Sequence, residues 1–358
     1  MKKLALVFVM VMLLFAFKGS KNTYNGDVSK VEIKHLLEDS LLNVRALELI
    51  KEAGFFAFLT SSGNMGVGPI KIEEQEDYKV YYPAKLSSDT LKLNFRALAA
   101  RKKHGFGITI GNPAYVIKLD KDVKDSSIAY KEVHEKVFYD SMEFWNDDEG
   151  IAIGDPTEDC MSIIITRDGG KTWTKLSCDD LPKAKEGEAA FAASDTNIAI
   201  VGNHTWVATG GKTSRILYSP NKGKTWEVFE TPIIQGKETT GMYSLDFYDE
   251  LNGFAIGGDY TQPDDNAANK IRTNDGGKTW HLVGENQSPG YRSCVKYMPN
   301  SSGKELVAVG FKGIDYSNDS GETWKHLSDE GFYTIRFLND SIAYAAGAGR
   351  VSKLTFKK

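Results

Sequence analysis

The chain has 358 residues, of which 41% are hydrophobic and 26% are charged, and its formal net charge is -4 at pH 7. This composition is ordinary for a folded globular protein, and the length exceeds that of a typical single domain. The acidic balance excludes a general basic surface for nucleic acid, so no nucleic-acid partner is expected.

The N-terminal 20 residues differ from the rest of the chain. Lys2 and Lys3 precede an apolar run from Leu4 to Phe17. This run is shorter than the roughly 20 residues of a membrane span and fits the apolar region of a secretory signal peptide. We predict a signal peptide over residues 1–20, an exposed lead-in over residues 21–30, and secretion or export to the periplasm. An uncleaved N-terminal anchor, with the protein peripheral to a membrane, is the alternative.

Seven segments with a shared pattern follow in chain order. Each begins as an extended strand with a small residue in its third place, which suits a strand crowded near a central axis. The seven segments begin at Val44, Phe95, Tyr139, Glu188, Met242, Tyr291 and Phe332. Three of them continue into a short alternating strand that ends in a corner of glycine and polar residues, at Gly107–Pro113, Gly150–Pro156 and Gly253–Asp259.

One octapeptide recurs between these segments. An Asp or Asn in its third place can bond neighbouring backbone N–H groups, a later glycine supplies a positive φ, and Thr-Trp begins a returning strand. The four copies are Thr166–Trp173, Ser219–Trp226, Thr273–Trp280 and Ser317–Trp324, so the tryptophans lie 53, 54 and 44 positions apart. This period predicts a repeat architecture, and the octapeptides are interpreted as structural hairpin turns.

These elements predict an all-β fold, a single seven-bladed β-propeller over residues 31–358. Each blade is expected to be a four-stranded antiparallel sheet. The last blade has chain for only three strands, at Tyr333–Phe337, Ala343–Gly347 and Val351–Phe356. We predict that Val31–Lys34 supplies the missing outer strand, because such closure leaves no open sheet edge.

Three cysteines remain to be placed. Cys160 and Cys178 flank the first octapeptide almost symmetrically. On an antiparallel hairpin they would lie nearly opposite each other, and a disulfide is one of two open outcomes in an exported protein. Cys294 lies in an apolar strand and is expected to be a buried free thiol.

The topology sorts polar residues by face. The octapeptide turns join the third and fourth strands of a blade, so the starts of the first strands lie on the opposite face, around the mouth of the channel. We predict that functional groups gather there. The candidate ligand- or partner-binding residues are Arg45, Arg96, Asp140, Asp155, Glu188, Asp259, Tyr260, Arg292, Tyr333 and Arg350.

Two interpretations of these polar residues around the channel mouth stay open. Its charges could pair with one another and hydrate the channel mouth. Alternatively, three arginines in one register could hold a carboxylate or another anion by bidentate bonds. No metal, cofactor or catalytic residue is assigned, because the six histidines lack metal-ligand spacing and no phosphate loop or nucleophile elbow is present.

The chain resembles the Asp-box propellers, also called bacterial neuraminidase repeats, and among them the photosystem II stability and assembly factor family. Beyond the octapeptides, the resemblance is carried by Phe144-Trp145, Gly150–Pro156, Glu188–Ser194, Ala208–Gly211, Gly257–Tyr260, Pro289–Ser293 and Gly347–Arg350. It covers roughly residues 40 to 358 and is specific for the bacterial branch of that group, whose members are mostly uncharacterised.

This resemblance implies a non-catalytic binding or assembly module. In the photosynthetic members the partner is a newly made membrane subunit, contacted in part through arginines, and that role carries over only in a photosynthetic host. For this chain we expect a protein partner or an anionic small ligand or glycan at the channel mouth, bound by a monomer.

A second hypothesis is a sialidase-like glycoside hydrolase that acts on carboxylated sugars, because Asp-box propellers are also similar to sialidases. Arg45, Arg96 and Arg292 would then clamp the sugar carboxylate. Tyr333, Glu188 and Asp140 would be the chemical groups. The Arg-Ile-Pro signature of sialidases is absent from the sequence near the first blade.

Overall fold

The computed structural model describes residues 27–70, 80–88, 90–100, 104–119 and 126–358. The predicted signal peptide lies outside the described residues. Within these ranges the chain is all-β, with short 3-10 turns at Lys51–Ala53 and Cys178–Asp180 and no α-helix. The described part of the chain therefore contains no helix long and apolar enough to cross a bilayer.

The strands form antiparallel blades, and within each blade they are lettered A to D from the axis outward. Blade 1 comprises the second half of β1 (Lys30–Ile50), then β2 (Phe55–Thr60), β3 (Asn64–Pro69) and β4 (Tyr81–Lys85). Blade 2 comprises β5 (Asn94–Ala100), β6 (Gly105–Ile110), β7 (Ala114–Leu119) and β8 (Ser127–Glu132). Blade 3 comprises β9 (Tyr139–Phe144), β10 (Gly150–Gly154), β11 (Ser162–Thr166) and β12 (Thr174–Lys175).

The remaining strands complete the fold. After the short β13 (Glu188–Ala189), blade 4 comprises β14 (Ile198–Val201), β15 (His204–Ala208), β17 (Arg215–Ser219) and β18 (Glu227–Glu230), with β16 (Gly210–Gly211) pairing to β13. Blade 5 comprises β19 (Thr240–Phe247), β20 (Gly253–Asp259), β21 (Lys270–Thr273) and β22 (His281–Leu282). Blade 6 comprises β23 (Cys294–Tyr297), β24 (Leu306–Gly310), β25 (Gly313–Ser317) and β26 (Lys325–Ser328). Blade 7 comprises β27 (Thr334–Phe337), β28 (Ile342–Ala346), β29 (Ala348–Lys357) and the first half of β1.

The A strands form a ring around the axis. Each A strand contacts the A strand of the next blade, from β1 through β5, β9, β14, β19 and β23 to β27, and β27 contacts β1 again. Apolar side chains of neighbouring blades pack together between the sheets. The predicted seven-bladed propeller of four-stranded blades is confirmed for the described residues.

The N-terminal strand closes the ring. The first half of β1 pairs antiparallel with β29 from Lys30↔Lys357 to Glu38↔Arg350, so the predicted closing strand is longer than Val31–Lys34. Of the predicted lead-in, residues 27–30 are described, and Val28 is fully buried in the apolar cluster between blades 6 and 7. The neighbouring Asp27, Ser29 and Lys30 are exposed, so Val28 is the one of these four residues that packs into the core.

The octapeptides form the predicted C–D turns. In the first, Oδ1 of Asp168 accepts the backbone N–H of Thr172 at 2.9 Å, and the N–H of Gly170 donates to Oγ1 of Thr166 at 2.9 Å. Gly170 has a φ of +74°, and a Cβ there would meet the Phe106 ring of blade 2 at 2.2 Å. The glycine is therefore required both by its backbone angle and by close packing on the preceding blade.

Blade 4 departs from the predicted alignment. Its A strand is β14, which begins at Ile198, whereas the sequence pattern placed its start at Glu188. Glu188–Ala189 instead pairs with Gly210–Gly211, because this segment is the connection that leads from blade 3 towards the channel. Cys160 and Cys178 form a disulfide, with a Cα–Cα distance of 5.4 Å, at the start of that connection, and Cys294 is a buried free thiol.

Candidate functional site

The mouth face is defined by strand direction. Since neighbouring strands are antiparallel, the start of every A strand, the D–A connections and the B–C corners lie on one face of the ring. The A–B turns and the octapeptide turns lie on the other. All ten candidate residues belong to segments of the mouth face or to the connection that leads into it.

A β-bulge occurs where several A strands begin. The register against the B strand shifts between Val44 and Ala46, between Phe95 and Ala97, between Tyr139 and Ser141, and between Met242 and Ser244. The extra residue in each case is the one in the second place: Arg45, Arg96, Asp140 or Tyr243. A bulge changes the direction of a side chain and is common next to functional sites. The bulges therefore explain why the second-place side chains are presented at the channel mouth.

Residues 191–197, here called the channel segment, form hydrogen bonds with several blades. Oδ2 and Oδ1 of Asp195 accept the backbone N–H groups of Leu98 in blade 2 and Met142 in blade 3, at 3.0 and 3.1 Å. From blade 5, the N–H of Leu245 donates to the Thr196 carbonyl at 2.9 Å. From blade 7, Nη2 of Arg336 donates to the Asp195 carbonyl at 3.1 Å.

Two arginines lie at this rim without a salt bridge, although the buried Asp140 interacts electrostatically with Arg96. The guanidinium of Arg45 lies 4.0 Å from the ring centroid of Tyr333 and donates to Oδ1 of Asn43 at 2.5 Å. Nη1 of Arg96 is buried and has no hydrogen-bond partner. Burial and the charge of Arg45 lower the pKa of Arg96 to about 10, which leaves it charged at neutral pH. Among the described residues, neither arginine forms an ion pair within 4.0 Å.

Two aspartates lie behind these arginines. Asp140 is fully buried, and neither of its carboxylate oxygens has a hydrogen-bond partner of standard geometry. Burial and the nearby Asp155 carboxylate raise the pKa of Asp140 well above its ordinary value, opposed by Arg96 and the Ala192 N–H. Burial also raises the pKa of Asp155 to about 6, although its Oδ1 accepts the Ala190 N–H at 2.8 Å. Poorly compensated buried carboxylates are typical of functional sites.

The Asp155 carboxylate is expected to cost stability at neutral pH. Its pKa is raised from 3.8 to about 6, so the folded protein holds this proton more tightly than the unfolded chain, and stability falls as the pH rises through that window. Asp155→Asn should raise the free energy of unfolding at pH 7.5 by about 1–3 kcal/mol and have much less effect at pH 4. Urea unfolding at both pH values measures the difference, with the exposed Asp159→Asn as control. Equal effects at both pH values would refute the assignment.

Four of the predicted residues form ion pairs or hydrogen bonds with other groups of the protein. Arg292 is buried and bound by the Asp315 carboxylate at 2.6 Å, and Glu188 is buried against Arg215 at 2.5 Å. Oδ1 of Asp259 accepts both the N–H and the hydroxyl of Thr261, and Nη1 of Arg350 pairs with Glu330. The three-arginine clamp is therefore not assembled, because the guanidinium of Arg292 is already occupied by Asp315.

Sequence reasoning missed an aromatic cluster on the same face. Phe191 stacks on Tyr243 at 4.0 Å between ring centroids, and Tyr243 meets Tyr291 edge-on at 4.8 Å. Tyr260 and Phe311 flank Tyr291 at 6.4 and 5.4 Å. These rings occur at A-strand starts, at B–C corners and in the connections between blades. Aligning aromatic rather than charged residues at those places would have found them.

Large apolar side chains are exposed on the mouth face. Leu41 and Val133, in D–A connections, are 86% and 67% exposed, and Tyr260 and Phe311, in B–C corners, are 49% and 44% exposed. Exposed apolar groups around a polar centre mark interaction surfaces. No group of three or more His, Cys, Asp or Glu side chains among the described residues is arranged to hold a metal ion.

Comparisons with known proteins agree with this architecture. The family model of the BNR/Asp-box repeat matches residues 164–175, which contain the whole first octapeptide. A search of curated protein sequences found no match.

Several solved propellers are similar in structure. A structure of YCF48 bound to a D1 peptide has a TM-score of 0.63 and 13% identity, and the match covers 93% of this chain and 99% of that one. YCF48 from Cyanidioschyzon merolae has a TM-score of 0.62 and 12% identity, with 92% and 99% covered. The WD40 β-propeller domain of Doa1 has a TM-score of 0.61 and 10% identity, with 92% and 98% covered. The chain is therefore a β-propeller that contains a BNR/Asp-box repeat and whose fold resembles that of YCF48.

Proposed function

We propose that this protein is an exported, non-catalytic binding propeller that captures an anionic segment of a protein partner at the channel mouth. The observation that carries the proposal is the pair Arg45 and Arg96, presented by two β-bulges at the rim, neither of which forms a salt bridge within 4.0 Å among the described residues. Two adjacent cations of this kind attract a carboxylate, and arginine binds it with directed hydrogen bonds.

The surroundings favour a macromolecular ligand. The exposed apolar side chains of the mouth face supply contact area that a small anion would not use. A propeller of similar fold, YCF48, has been solved with a D1 peptide bound, so this architecture can hold a peptide. The Cys160–Cys178 disulfide supports export, since disulfides persist mainly in oxidising compartments.

Binding fits the geometry better than glycoside hydrolysis. The sialidase-like alternative requires three arginines converging on one carboxylate and an acid within reach of the substrate. Arg292 and Glu188 are both held in buried ion pairs, and Asp140 is fully buried. Of the proposed clamp, Arg45 and Arg96 are the two cations that form no salt bridge among the described residues, and two cations suffice to bind an anion.

Reversing the two rim charges should abolish capture. We expect Arg45→Glu combined with Arg96→Glu to reduce partner recovery by at least about tenfold, because the carboxylate then meets two like charges. The measurement is quantitative mass spectrometry of proteins retained from the exported fraction of the native host. The double variant must first show the circular dichroism and melting curve of a folded propeller.

A matched control reverses two charges on the opposite face. Lys171 and Lys278 are exposed in the octapeptide turns, and their replacement by Glu changes the net charge by the same amount. Capture should survive in this control. Retention of the partner by the Arg45/Arg96 variant, or equal loss in both double variants, would show that the mouth arginines do not bind the partner.

A further inference from the structure

We propose that the mouth face contains an aromatic subsite beside the arginines, formed by Tyr260 and Phe311 around Tyr291, that receives an aromatic side chain of a bound peptide. This inference rests on the proposed function and specifies the chemistry of the partner: an extended segment with an aromatic residue close to a carboxylate.

The two outer rings of the subsite are exposed, whereas the inner rings are not. Tyr260 and Phe311 are 49% and 44% exposed, while Tyr243 and Tyr291 beneath them are buried. The planes of Tyr260 and Tyr291 are inclined by 68°, and those of Tyr243 and Tyr291 by 86°. Edge-to-face contacts of this kind are favourable between aromatic rings, and a further ring on the exposed side can extend the same pattern.

The subsite is held rigidly. The connection that carries Tyr291 is anchored by Nδ2 of Asn269, which donates to the Gly290 carbonyl at 2.7 Å, and by Nζ of Lys270, which donates to the Pro289 carbonyl at 2.9 Å. The Phe311 corner lies against Gly331, where a Cβ would come within 2.7 Å of the Phe311 carbonyl oxygen. A preformed surface loses little conformational entropy when it binds a ligand.

The charges next to the rings are neutralised locally. Nζ of Lys312 lies 3.2 Å from Asp264, and Nζ of Lys237 lies 3.7 Å from Asp259. The rings therefore present a neutral apolar surface. Tyr291 in turn interacts electrostatically with Arg45, whose guanidinium stacks on Tyr333. The arginine and the exposed rings thus both neighbour the buried Tyr291, and a segment with a carboxylate and an aromatic side chain complements both groups.

Synthetic peptides test the subsite. The probes are hexapeptides in a Gly/Ser background that carry one Phe and one Asp, separated by one to four residues. Matched series replace Phe by Ala, Asp by Asn, or both. Dissociation constants are measured by NMR titration with the full protein. We expect the preference for Phe over Ala to be about tenfold at the best spacing.

Protein variants test whether the preference for Phe over Ala depends on Tyr260 and Phe311. Tyr260→Ala with Phe311→Ala should remove the preference for Phe over Ala and keep the preference for Asp over Asn. The control pair Tyr248→Ala and Leu251→Ala, exposed on the opposite face, should change neither. Because the outer rings are exposed, both pairs are expected to fold, and melting curves verify this.

The outcomes separate the two proposals. If Asp is preferred over Asn but Phe and Ala bind equally, the aromatic subsite is wrong and the anion-binding mouth stands. If a preference for Phe survives removal of both outer rings, the subsite is wrongly placed. If the peptides do not bind and glucuronate or sialic acid does, both the protein partner and the subsite are refuted.

Discussion

Trp280→Ala should reduce the free energy of unfolding by about 3–5 kcal/mol, the cost of truncating a buried aromatic side chain. Trp280 is 6% exposed and lies in the apolar cluster shared by blades 4 and 5. Its ring meets Phe247 edge-on with centroids 6.0 Å apart, and its Nε1 donates to the Gly277 carbonyl at 2.9 Å. The substitution therefore removes packing between two blades and leaves a buried carbonyl without its donor.

The other octapeptide tryptophans provide the comparison. Trp226 and Trp324 make the same indole-to-carbonyl hydrogen bond, but both are only partly buried, so their replacement by Ala should cost less. Urea unfolding of the three variants gives the ranking. A loss below about 1 kcal/mol at Trp280, or a smaller loss there than at Trp226 and Trp324, would contradict the packing described between blades 4 and 5.

Asp195→Ala should have an effect of similar size, because one side chain joins several blades inside the channel. Its carboxylate accepts the buried N–H groups of Leu98 and Met142 and lies 3.8 Å from Nη2 of Arg336. An unpaired buried donor costs about 1–3 kcal/mol, so two of them predict a loss of about 2–6 kcal/mol. Asp195 also has a φ of +58°, which alanine tolerates less well than aspartate.

Chemical or thermal unfolding measures this loss, with Asp159→Ala as the control. Asp159 pairs with Lys183 at 3.1 Å on the surface, and such exposed pairs contribute about 0–1 kcal/mol. Asp195→Asn should fall between the two, because its amide retains one acceptor oxygen. If Asp195→Ala were as stable as the control, the channel segment would not hold the blades together.

Most of the fold could be predicted from the sequence because repetition supplies the same information several times. Four octapeptides fix the C–D turns, and the segments that begin the A strands give the blade number. The closing strand could be predicted because the last blade has only three strands, of which Val351–Phe356 is the third. Blade 4 was misaligned because Glu188–Ala190 resembles an A-strand start, although the segment belongs to a connection.

The sequence predicted where the candidate site lies, but it did not predict which of the site residues form ion pairs with other side chains. The second place of the A strand predicted the residues that bulges present, including Arg45 and Arg96. It could not show that Arg292 and Glu188 are neutralised, because their partners Asp315 and Arg215 come from C strands. A charged residue within an otherwise apolar C strand is the signal that would have indicated these pairs.

The contacts of the channel segment and of the aromatic cluster could not be predicted from the sequence, for a different reason. Asp195 bonds to backbone N–H groups of two other blades, and these donors have no sequence signature. Tyr260, Tyr291 and Phe311 come from different connections and meet only because the ring brings blades 5 and 6 together. Contacts of this kind depend on closure of the whole propeller.

Site-specific photo-cross-linking tests most directly whether the mouth face captures the partner. A benzophenone amino acid replaces Phe311 on the mouth face or Tyr248 on the opposite face, two exposed aromatic positions. We predict that Phe311 yields a cross-linked protein partner, that this product disappears when Arg45 and Arg96 are both replaced by Glu, and that Tyr248 yields none. A partner that cross-links from Tyr248 alone, or equally from both faces, would contradict capture at the mouth.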